Sequence, residues 1–361
     1  MSWNPKYTIT KEVLSALTRI EKVKEAFTEK PLSPVLLASL HNTAKLKSVH
    51  YSTKIEGNHL TMEQVEKTLN TMAKKASTYH PRDEQEVKAY YNAISYMEKY
   101  LENNGTFTEE FIKKIHSLIE GEKKITPYRE SQNAIYNSTD GSLVYLPPEA
   151  KDVPVFMSDL VEWVKDNMEK LPTPIVAGLF HYQFVTIHPY FDGNGRTARL
   201  ISSFLMRKYG YGLKGIYSLE EYYAKDLGNY YQALATHPHH NYYEGRHEAD
   251  LTNWLEYFTK GVAEAFENIE VKAEEEVQKG FTADKSPILR ELDIKQRKAL
   301  ELFVEFKSIT TNQLAGYMGI SGQSARLLIA QWVDKGFVQM ENTAKKNRTY
   351  TLTKQYEEVL K

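Results

Sequence analysis

The stretch 186–199, TIHPYFDGNGRTAR, combines an imidazole, a carboxylate, a glycine-rich turn and two arginines. The turn Gly193-Asn194-Gly195 frees backbone N–H groups to converge on an anion, because glycine adopts dihedral angles that other residues avoid. The residues that follow predict a helix, whose N-terminus adds partial positive charge at the same place. These features predict an anion site, for which phosphate is a suitable ligand.

The charged side chains around this turn suit phosphoryl-type transfer. Arg196 and Arg199 share a face of the predicted helix, and guanidinium groups grip phosphate oxygens with paired hydrogen bonds. Two arginines in a first helical turn oppose the helix dipole, so their position favours a function that brings in an anion. Asp192 offers hard oxygen ligands for Mg²⁺, and His188 has the ordinary pKa of about 6.5 that suits proton transfer near neutral pH. A capped helix after an ordinary turn is the alternative, and the Gly-Asn-Gly turn alone would favour it.

The composition limits the classes of protein. A length of 361 residues predicts two or three domains, and the hydrophobic and charged contents are those of an ordinary globular chain. The net charge of −1 gives no overall bias towards nucleic acid or membrane. The absence of cysteine excludes disulfides, thiolate metal sites and a cysteine nucleophile. The sequence shows neither a signal peptide nor an apolar run of membrane-spanning length, which predicts a cytoplasmic protein without membrane contact.

Apolar residues recur at helical spacing along most of the chain, which predicts a mainly α-helical fold. In FTEEFIKKIHSLIEG, for example, Thr108 is the expected N-cap and Gly121 the stop. The exception is NAIYNSTDGSLVYLPP (133–148), where two apolar runs flank an Asp140-Gly141 turn. This pattern predicts a β-hairpin.

The C-terminal segment has a pattern of its own. We place a domain boundary near 280–287, where a charged helical stretch ends. Beyond it, three predicted helices precede the strand runs FVQM and RTYTLT, an order that resembles the winged helix-turn-helix family. Residues 285–361 hold 13 Lys and Arg against 8 Asp and Glu, so this segment is the basic part of the chain. DNA binding and a protein-docking or dimer-forming role are equally open for it.

The longer stretch HPYFDGNGRTAR resembles the signature of the Fic family, His-Pro-Phe-x-Asp/Glu-Gly-Asn-Gly-Arg-x-x-Arg. Tyr190 stands where the family has phenylalanine, so an aromatic ring is retained. The preceding AGLFHYQFVTI also resembles the core helix of the family, and the resemblance covers residues 110–260. It implies a mainly α fold, a Fic helical core with the 133–148 hairpin as its flap, beside the C-terminal winged-helix domain.

The usual reaction of the family is transfer of AMP from ATP to a protein hydroxyl. The resemblance therefore implies ATP, Mg²⁺ and a protein substrate with a Ser, Thr or Tyr hydroxyl. His188 would deprotonate that hydroxyl, and Asp192 would hold Mg²⁺ on the α- and β-phosphates. The remaining ATP-binding residues would be the anion-hole turn and the two arginines on the β- and γ-phosphates: Gly193, Asn194, Gly195, Arg196 and Arg199.

A second motif, STKIEGN, lies far upstream at 52–58. Ser52 and Glu56 share one face of a predicted helix, which Gly57 ends. A glutamate in the last turn opposes the dipole unless a cation meets it, although an ordinary helix end is the simpler interpretation of the motif alone. The motif resembles the Fic inhibitory sequence, Ser/Thr-x-x-x-Glu-Gly/Asn, in which the glutamate pairs with the second signature arginine. The resemblance implies autoinhibition by a Glu56–Arg199 pair, in the class with an N-terminal inhibitory helix.

Other aromatic and histidine residues give weaker signals. Tyr230 and Tyr231 in GNYYQALA resemble adenine contacts of the family, although adjacent aromatics on a helix are more often core residues. His181 is expected to be a packed, hydrogen-bonded core histidine. The histidines of HPHHNYY (237–243) are expected in a solvated loop rather than at a metal site.

The expected organisation has four parts: an N-terminal helical region with the inhibitory motif (1–105), a Fic catalytic core (106–265), a linker helix (266–286) and a winged helix-turn-helix (287–361). One function is an autoinhibited protein adenylyltransferase. Another is a nucleotide-sensing, DNA-binding regulator, which would need the phosphate cradle but no base at His188. Removal of AMP, transfer of another phosphate-containing group, self-modification and a homodimer also stay open.

Overall fold

The computed structural model of the chain describes residues 3–29, 32, 34–70, 79–136, 140–278, 292–342 and 348–360. Helices dominate these residues, as the apolar spacing predicts. The chain divides into two compact units, the first made of 1–27 and 44–269 and the second of 28–43 and 270–361. The boundary expected near 280–287 lies outside the described residues.

The helices up to residue 278 follow one another with a single hairpin between them in the described residues. Their bounds are α1 Lys11–Glu29, α2 Pro34–Ile55, α3 Met62–Asn70, α4 Pro81–Glu102, α5 Glu109–Ile119, α6 Val153–Asn167, α7 Thr173–Ile187, α8 Asn194–Met206, α9 Glu220–Lys225, α10 Leu227–Leu234 and α11 Thr252–Gln278. As expected, Thr108 caps α5 by accepting a hydrogen bond from the Phe111 N–H, and Gly121 follows its end with φ +71°. Among the described helices, none combines the length and apolarity that crossing a membrane requires.

Helix α7 forms the centre of the first unit. Nearly all of its residues are buried, because it is apolar on every side. It packs against α6 and α8, and α8 packs in turn against α4 and α5. On its far side, Trp254 donates its indole N–H to the Gly178 carbonyl at 2.7 Å, and a side chain at Gly178 would collide with Phe258. The loop 188–193 therefore joins two helices that the core holds in place.

The hairpin forms within 133–148, as expected. Strands β1 (Ile135–Tyr136) and β2 (Leu143–Tyr145) pair in antiparallel fashion. The turn includes Gly141 at φ +70°, and the Asp140 carboxylate accepts hydrogen bonds from Ser142. Residues 137–139 lie outside the description.

The described C-terminal residues contain helices and a small sheet. Their bounds are α12 Ile294–Glu305, β3 Ile309–Thr310, α13 Thr311–Met318, α14 Gly322–Asp334, β4 Val338–Asn342, β5 Thr349–Leu352 and α15 Lys354–Leu360. The strand order is β3-β5-β4, all antiparallel. Strands β4 and β5 match the two runs expected from sequence, whereas the two-residue β3 and the terminal α15 have no counterpart in that expectation.

Local sequence signals explain where these C-terminal helices begin. Asp293 and Gln296 form a reciprocal capping box at α12, and Thr310 and Gln313 form another at α13. The helices and sheet enclose their own apolar core. It includes the buried side chains of Leu300, Leu314, Ile329, Trp332, Phe337 and Tyr350.

Candidate active site

His188 lies at the end of α7 in a left-handed conformation, with φ 51° and ψ 60°. Its Nδ1 lies 3.3 Å from the Val185 carbonyl, which can only accept, so the proton belongs on Nδ1 and the Nε2 lone pair has no partner among the described residues. Burial lowers the pKa of His188 to about 4, which keeps the ring neutral at physiological pH. A neutral imidazole with one free nitrogen can accept a proton from a hydroxyl.

The glycine-rich turn leads directly into α8. Gly193 precedes the helix with φ 73°, and its N–H donates to the Asp192 carboxylate at 2.6 Å. The Asn194 side chain is buried and bonds both backbone groups of Tyr190, at 3.0 Å to its N–H and 2.8 Å to its carbonyl. Asn194 therefore braces the loop with its side chain, and the first N–H groups of α8 have no intrahelical partner. This is the arrangement that a phosphate oxygen needs.

Arg199 meets the upstream motif at the end of α2. Its Nε donates to the Ser52 hydroxyl at 2.9 Å, and one terminal nitrogen donates to the Ser52 carbonyl at 2.9 Å and to Glu56 Oε1 at 2.7 Å. Burial alone would lower the pKa of Arg199, but the Glu56 carboxylate raises it above the ordinary value, so the guanidinium stays charged. A side chain at Gly195 would collide with the Glu56 carboxylate, which therefore lies directly over the glycine-rich turn.

Arg196 points into a cluster of carboxylates that the sequence did not reveal. Its guanidinium lies 2.9 Å from Glu86 of α4, 3.2 Å from Glu120 after α5 and 3.1 Å from Asp192. Burial raises the pKa of both Glu86 and Glu120. Glu120 follows the last turn of α5, where an acid opposes the helix dipole, and the argument applied to Glu56 could have found it. No comparable signal marks Glu86.

His116 supports the same loop from α5. Its Nε2 donates to the Asp192 carbonyl at 3.0 Å, and its ring stacks on Tyr190 with 3.5 Å between ring centroids. Burial lowers the pKa of His116 to about 4, so it acts as a neutral donor. The Tyr190 hydroxyl is buried and has no hydrogen-bond partner among the described residues. Tyr190 thus keeps the packing of an aromatic ring while its hydroxyl adds nothing to the contacts.

The two tyrosines of α10 have different surroundings. Tyr230 is buried, and its hydroxyl lies 2.9 Å from Nε2 of His181. Tyr231 is 49% exposed, so its ring is the one open to a ligand. His181 is fully buried and hydrogen-bonded, which confirms the expectation of a core histidine.

Asp192 is the residue that could hold a metal ion. Its side chain is 63% exposed, and one of its two oxygens accepts from the Gly193 N–H and from Arg196. Mg²⁺ commonly binds through one carboxylate together with phosphate oxygens, so an exposed carboxylate beside a phosphate cradle fits that ion. The described residues contain no group of three or more His, Asp or Glu that could bind a metal by themselves, including the histidines of 237–243.

Comparisons with known proteins agree on the domain that contains this site. The model of the Fic/DOC family matches residues 106–206, which include the whole signature and exclude the 52–58 motif. The protein adenylyltransferase Fic of Aedes aegypti is 27% identical over 201 residues, 54% of this chain and 38% of that protein. The Culex quinquefasciatus protein of the same name is 28% identical over 196 residues, with the same coverage. The chain thus spans well under half the length of these curated relatives.

Solved structures share the fold. A Fic family protein from Desulfovibrio desulfuricans G20 superposes with a TM-score of 0.62 and 21% identity over 98% of this chain and 99% of that one. A Fic domain containing signaling protein from Bacteroides thetaiotaomicron has a TM-score of 0.61 and 23% identity, over 74% of this chain and 97% of that one. Fic-1 from C. elegans has a TM-score of 0.57 and 20% identity, over 74% of this chain and 73% of that one. The sequence match and the shared fold together establish that this chain carries a Fic/DOC domain, over residues 106–206.

Proposed function

We propose that the protein is an adenylyltransferase that moves AMP from ATP to a Ser, Thr or Tyr hydroxyl of a target protein. The observation that carries this proposal is the free Nε2 of His188, held beside the N-terminus of α8. A nucleotide sensor needs the phosphate cradle but has no use for a base there. The curated relatives named protein adenylyltransferase Fic support the same reaction.

In this reaction His188 Nε2 takes the proton of the target hydroxyl, and the hydroxyl oxygen attacks the α-phosphorus of ATP. The bond from the α-phosphorus to the bridging oxygen breaks, and pyrophosphate leaves with the electron pair. Backbone N–H groups of the turn and of α8 stabilise the charge on the phosphoryl oxygens. Mg²⁺ held by Asp192 would neutralise charge on the α- and β-phosphates. Arg196 and Arg199 bind the outer phosphates, and Tyr231 offers its exposed ring to the adenine.

We further propose that α2 is an inhibitory helix. Ser52 and Glu56 occupy three hydrogen-bonding positions of Arg199, which therefore cannot grip the γ-phosphate. Gly57, at φ +93°, turns the chain just after α2, so that Glu56 lies directly past the helix end and over the glycine-rich turn. When the γ-phosphate of ATP displaces the Glu56 carboxylate from Arg199, the site becomes active.

The C-terminal elements support a winged helix-turn-helix as the second functional part. Helices α12, α13 and α14 precede the antiparallel strands β4 and β5. On α14, Arg326 and the 62%-exposed Leu327 face outward next to each other. One arginine beside an apolar side chain suits a protein surface at least as well as a DNA backbone, so target docking or self-association is the role we assign to it. We also propose that the protein is cytoplasmic, that it modifies itself and that it forms a homodimer.

The test is label transfer from α-labelled ATP with Mg²⁺ in a host lysate. Glu56→Gly should label proteins more strongly than the parent. His188→Ala in that background should lose about 10² to 10⁴ in rate while nucleotide binding persists, because the base is separate from the cradle. Glu102→Gly, which also removes a glutamate at a helix end, is the matched control and should behave like the parent. Equal labelling with and without His188 would refute the proposal.

If labelled proteins instead lose AMP on incubation, the same site works in the reverse direction. Removal then requires a water molecule in place of the target hydroxyl, with His188 still exchanging the proton. A preformed adenylylated protein, incubated without ATP, distinguishes the two directions. Transfer of another group from a different nucleotide would appear as competition by that nucleotide in the same assay.

A further inference from the structure

Arg129 is a buried arginine outside the signature, located between α5 and the hairpin. It is 4% exposed, and the side-chain partners found for it among the described residues are all backbone carbonyls, with no carboxylate. Burying a guanidinium is costly unless its N–H groups are satisfied. Burial accordingly lowers the pKa of Arg129 below its ordinary value. Burial of the Arg129 charge among carbonyl groups costs free energy, so packing alone does not explain why an arginine occupies this position.

The partners of Arg129 come from three places in the chain. Its Nε donates to the His188 carbonyl at 2.9 Å, and its backbone N–H donates to the Pro189 carbonyl at 2.9 Å. Its two terminal nitrogens donate to the Ser131 carbonyl, at 3.1 Å, and to the Pro148 carbonyl. Ser131 precedes β1 and Pro148 follows β2. One residue therefore ties the backbone of His188 to both ends of the hairpin.

The conformation of His188 makes this tie important. Its left-handed backbone is uncommon for a residue with a side chain and persists only where its surroundings fix it. Arg129 fixes it from the carbonyl side, while the Val185 carbonyl fixes the ring through Nδ1. Rotation of the peptide after His188 would change the orientation of the loop 189–193, and with it the glycine-rich turn, relative to the imidazole.

We infer that Arg129 is a positioning residue, which sets His188 Nε2 at a fixed place relative to the hairpin. This inference rests on the proposed function, because it explains how a hydroxyl presented beside the hairpin would meet the base. The hairpin and the base otherwise belong to separate segments, joined by one further short bond, in which the Tyr145 hydroxyl of β2 donates to the Thr186 carbonyl of α7 at 2.7 Å. Asn133 adds only longer hydrogen bonds, at 3.4 and 3.5 Å to the Tyr190 and Phe191 carbonyls.

The same geometry gives Arg129 an electrostatic effect on His188. Three charged groups act on the imidazole: Arg129 disfavours its protonation, whereas Glu56 and Asp192 favour it. Without the guanidinium the pKa of His188 should rise. The base would then be protonated at a higher pH, and the acid limb of kcat/KM against pH would move upward.

The experiment compares Arg129→Gln and Arg129→Lys in the Glu56→Gly background. For both variants we expect kcat to fall by about 10²-fold, the loss typical of a misplaced catalytic group, with the dissociation constant of ATP changed less than about twofold. In Arg129→Gln only, the acid limb of the pH profile should move to higher pH and the pKa of His188 should rise. Histidine NMR signals measure that pKa, and His188→Ala identifies the His188 signal. Arg129→Lys keeps a cation there and also serves if Arg129→Gln fails to fold.

Arg246→Gln is the matched control, since Arg246 also donates to backbone carbonyls, those of Leu234 and His237, and lies over the Tyr145 and Tyr182 rings without contacting His188 in the described residues. It should leave kcat and the His188 pKa unchanged. Loss of ATP binding and thermal stability in the Arg129 variants, without a change in the His188 pKa, would overturn the inference, as would full kcat in Arg129→Lys. If Glu56→Gly transfers no label, the proposed function fails separately. The NMR titration then decides the inference, and an unchanged His188 signal in Arg129→Gln rejects it.

Discussion

The two arginines of the signature lie one helical turn apart but are held in different ways. Arg199 is paired with one carboxylate, Glu56, which follows a helix far upstream and lies outside the matched family region. Arg196 is surrounded by three, two of which belong to α4 and to the end of α5. The first arrangement can be undone by moving one side chain, whereas the second is shared among several elements.

This difference indicates two roles for the same residue type. A single anion over Arg199 can be exchanged for a phosphate, so that contact suits a switch. Several anions around Arg196 fix its guanidinium, and loss of any one leaves the others in place. We therefore expect regulation at Arg199 and constant positioning at Arg196, and the following changes test that division.

The largest effect should come from Arg199→Ala in the Glu56→Gly background. Without this guanidinium, the outer phosphates lose one of the two arginines proposed to bind them, and we expect a rate loss on the order of 10³-fold, as for other phosphate-binding arginines. Measurement of kcat/KM for ATP tests this. Arg207→Ala, which removes a guanidinium paired with Glu98, is the matched control and should retain activity. An Arg199→Ala variant as fast as its background would remove Arg199 from the site.

The second-largest effect should come from removing the contact between Glu56 and Arg199. Glu56→Gly should raise the rate of label transfer at least tenfold, because a charged hydrogen bond worth about 1.4 kcal/mol or more no longer competes with the γ-phosphate. Glu86→Gln, made at the other arginine, should give no increase. If both substitutions raise label transfer equally, the two arginines do not differ in their roles.

The sequence predicted the members of this site that are close together in the chain. The spacing from His188 to Arg199 carries local signals, in a glycine turn and a helix start, that need no knowledge of the fold. The roles of Ser52 and Glu56 came instead from the resemblance to the Fic inhibitory sequence, because their motif alone favoured an ordinary helix end. Arg129 and Glu86 carry none, because their roles arise only when distant elements pack beside the loop. The hairpin and helix caps were likewise predicted from local chemistry.

Glu86 and Glu120 should have a smaller effect, on ATP binding rather than on regulation. Glu86→Gln and Glu120→Gln should each raise the KM for ATP by about two- to fivefold, as expected for loss of one partly buried charge in a network that keeps its other members. The double variant should exceed the product of the two, since Arg196 would then have only Asp192. Strict multiplicativity of the single effects would show that the two carboxylates do not share Arg196.

The smallest effect should come from Tyr190, which lies under the Arg196 side of the site against His116. Because its hydroxyl is buried without a partner in the described residues, Tyr190→Phe removes an unsatisfied polar group and keeps the ring. We expect the free energy of unfolding to rise by roughly 1 kcal/mol, with label transfer unchanged. Urea denaturation measures this, with an unchanged m-value as evidence that the unfolded state is the same.

Tyr128→Phe is the control: its hydroxyl donates to Glu109 at 2.8 Å, so the same change should lower stability. Equal losses in both variants would mean that the Tyr190 hydroxyl has a partner, and that tyrosine at this position contributes a contact of its own.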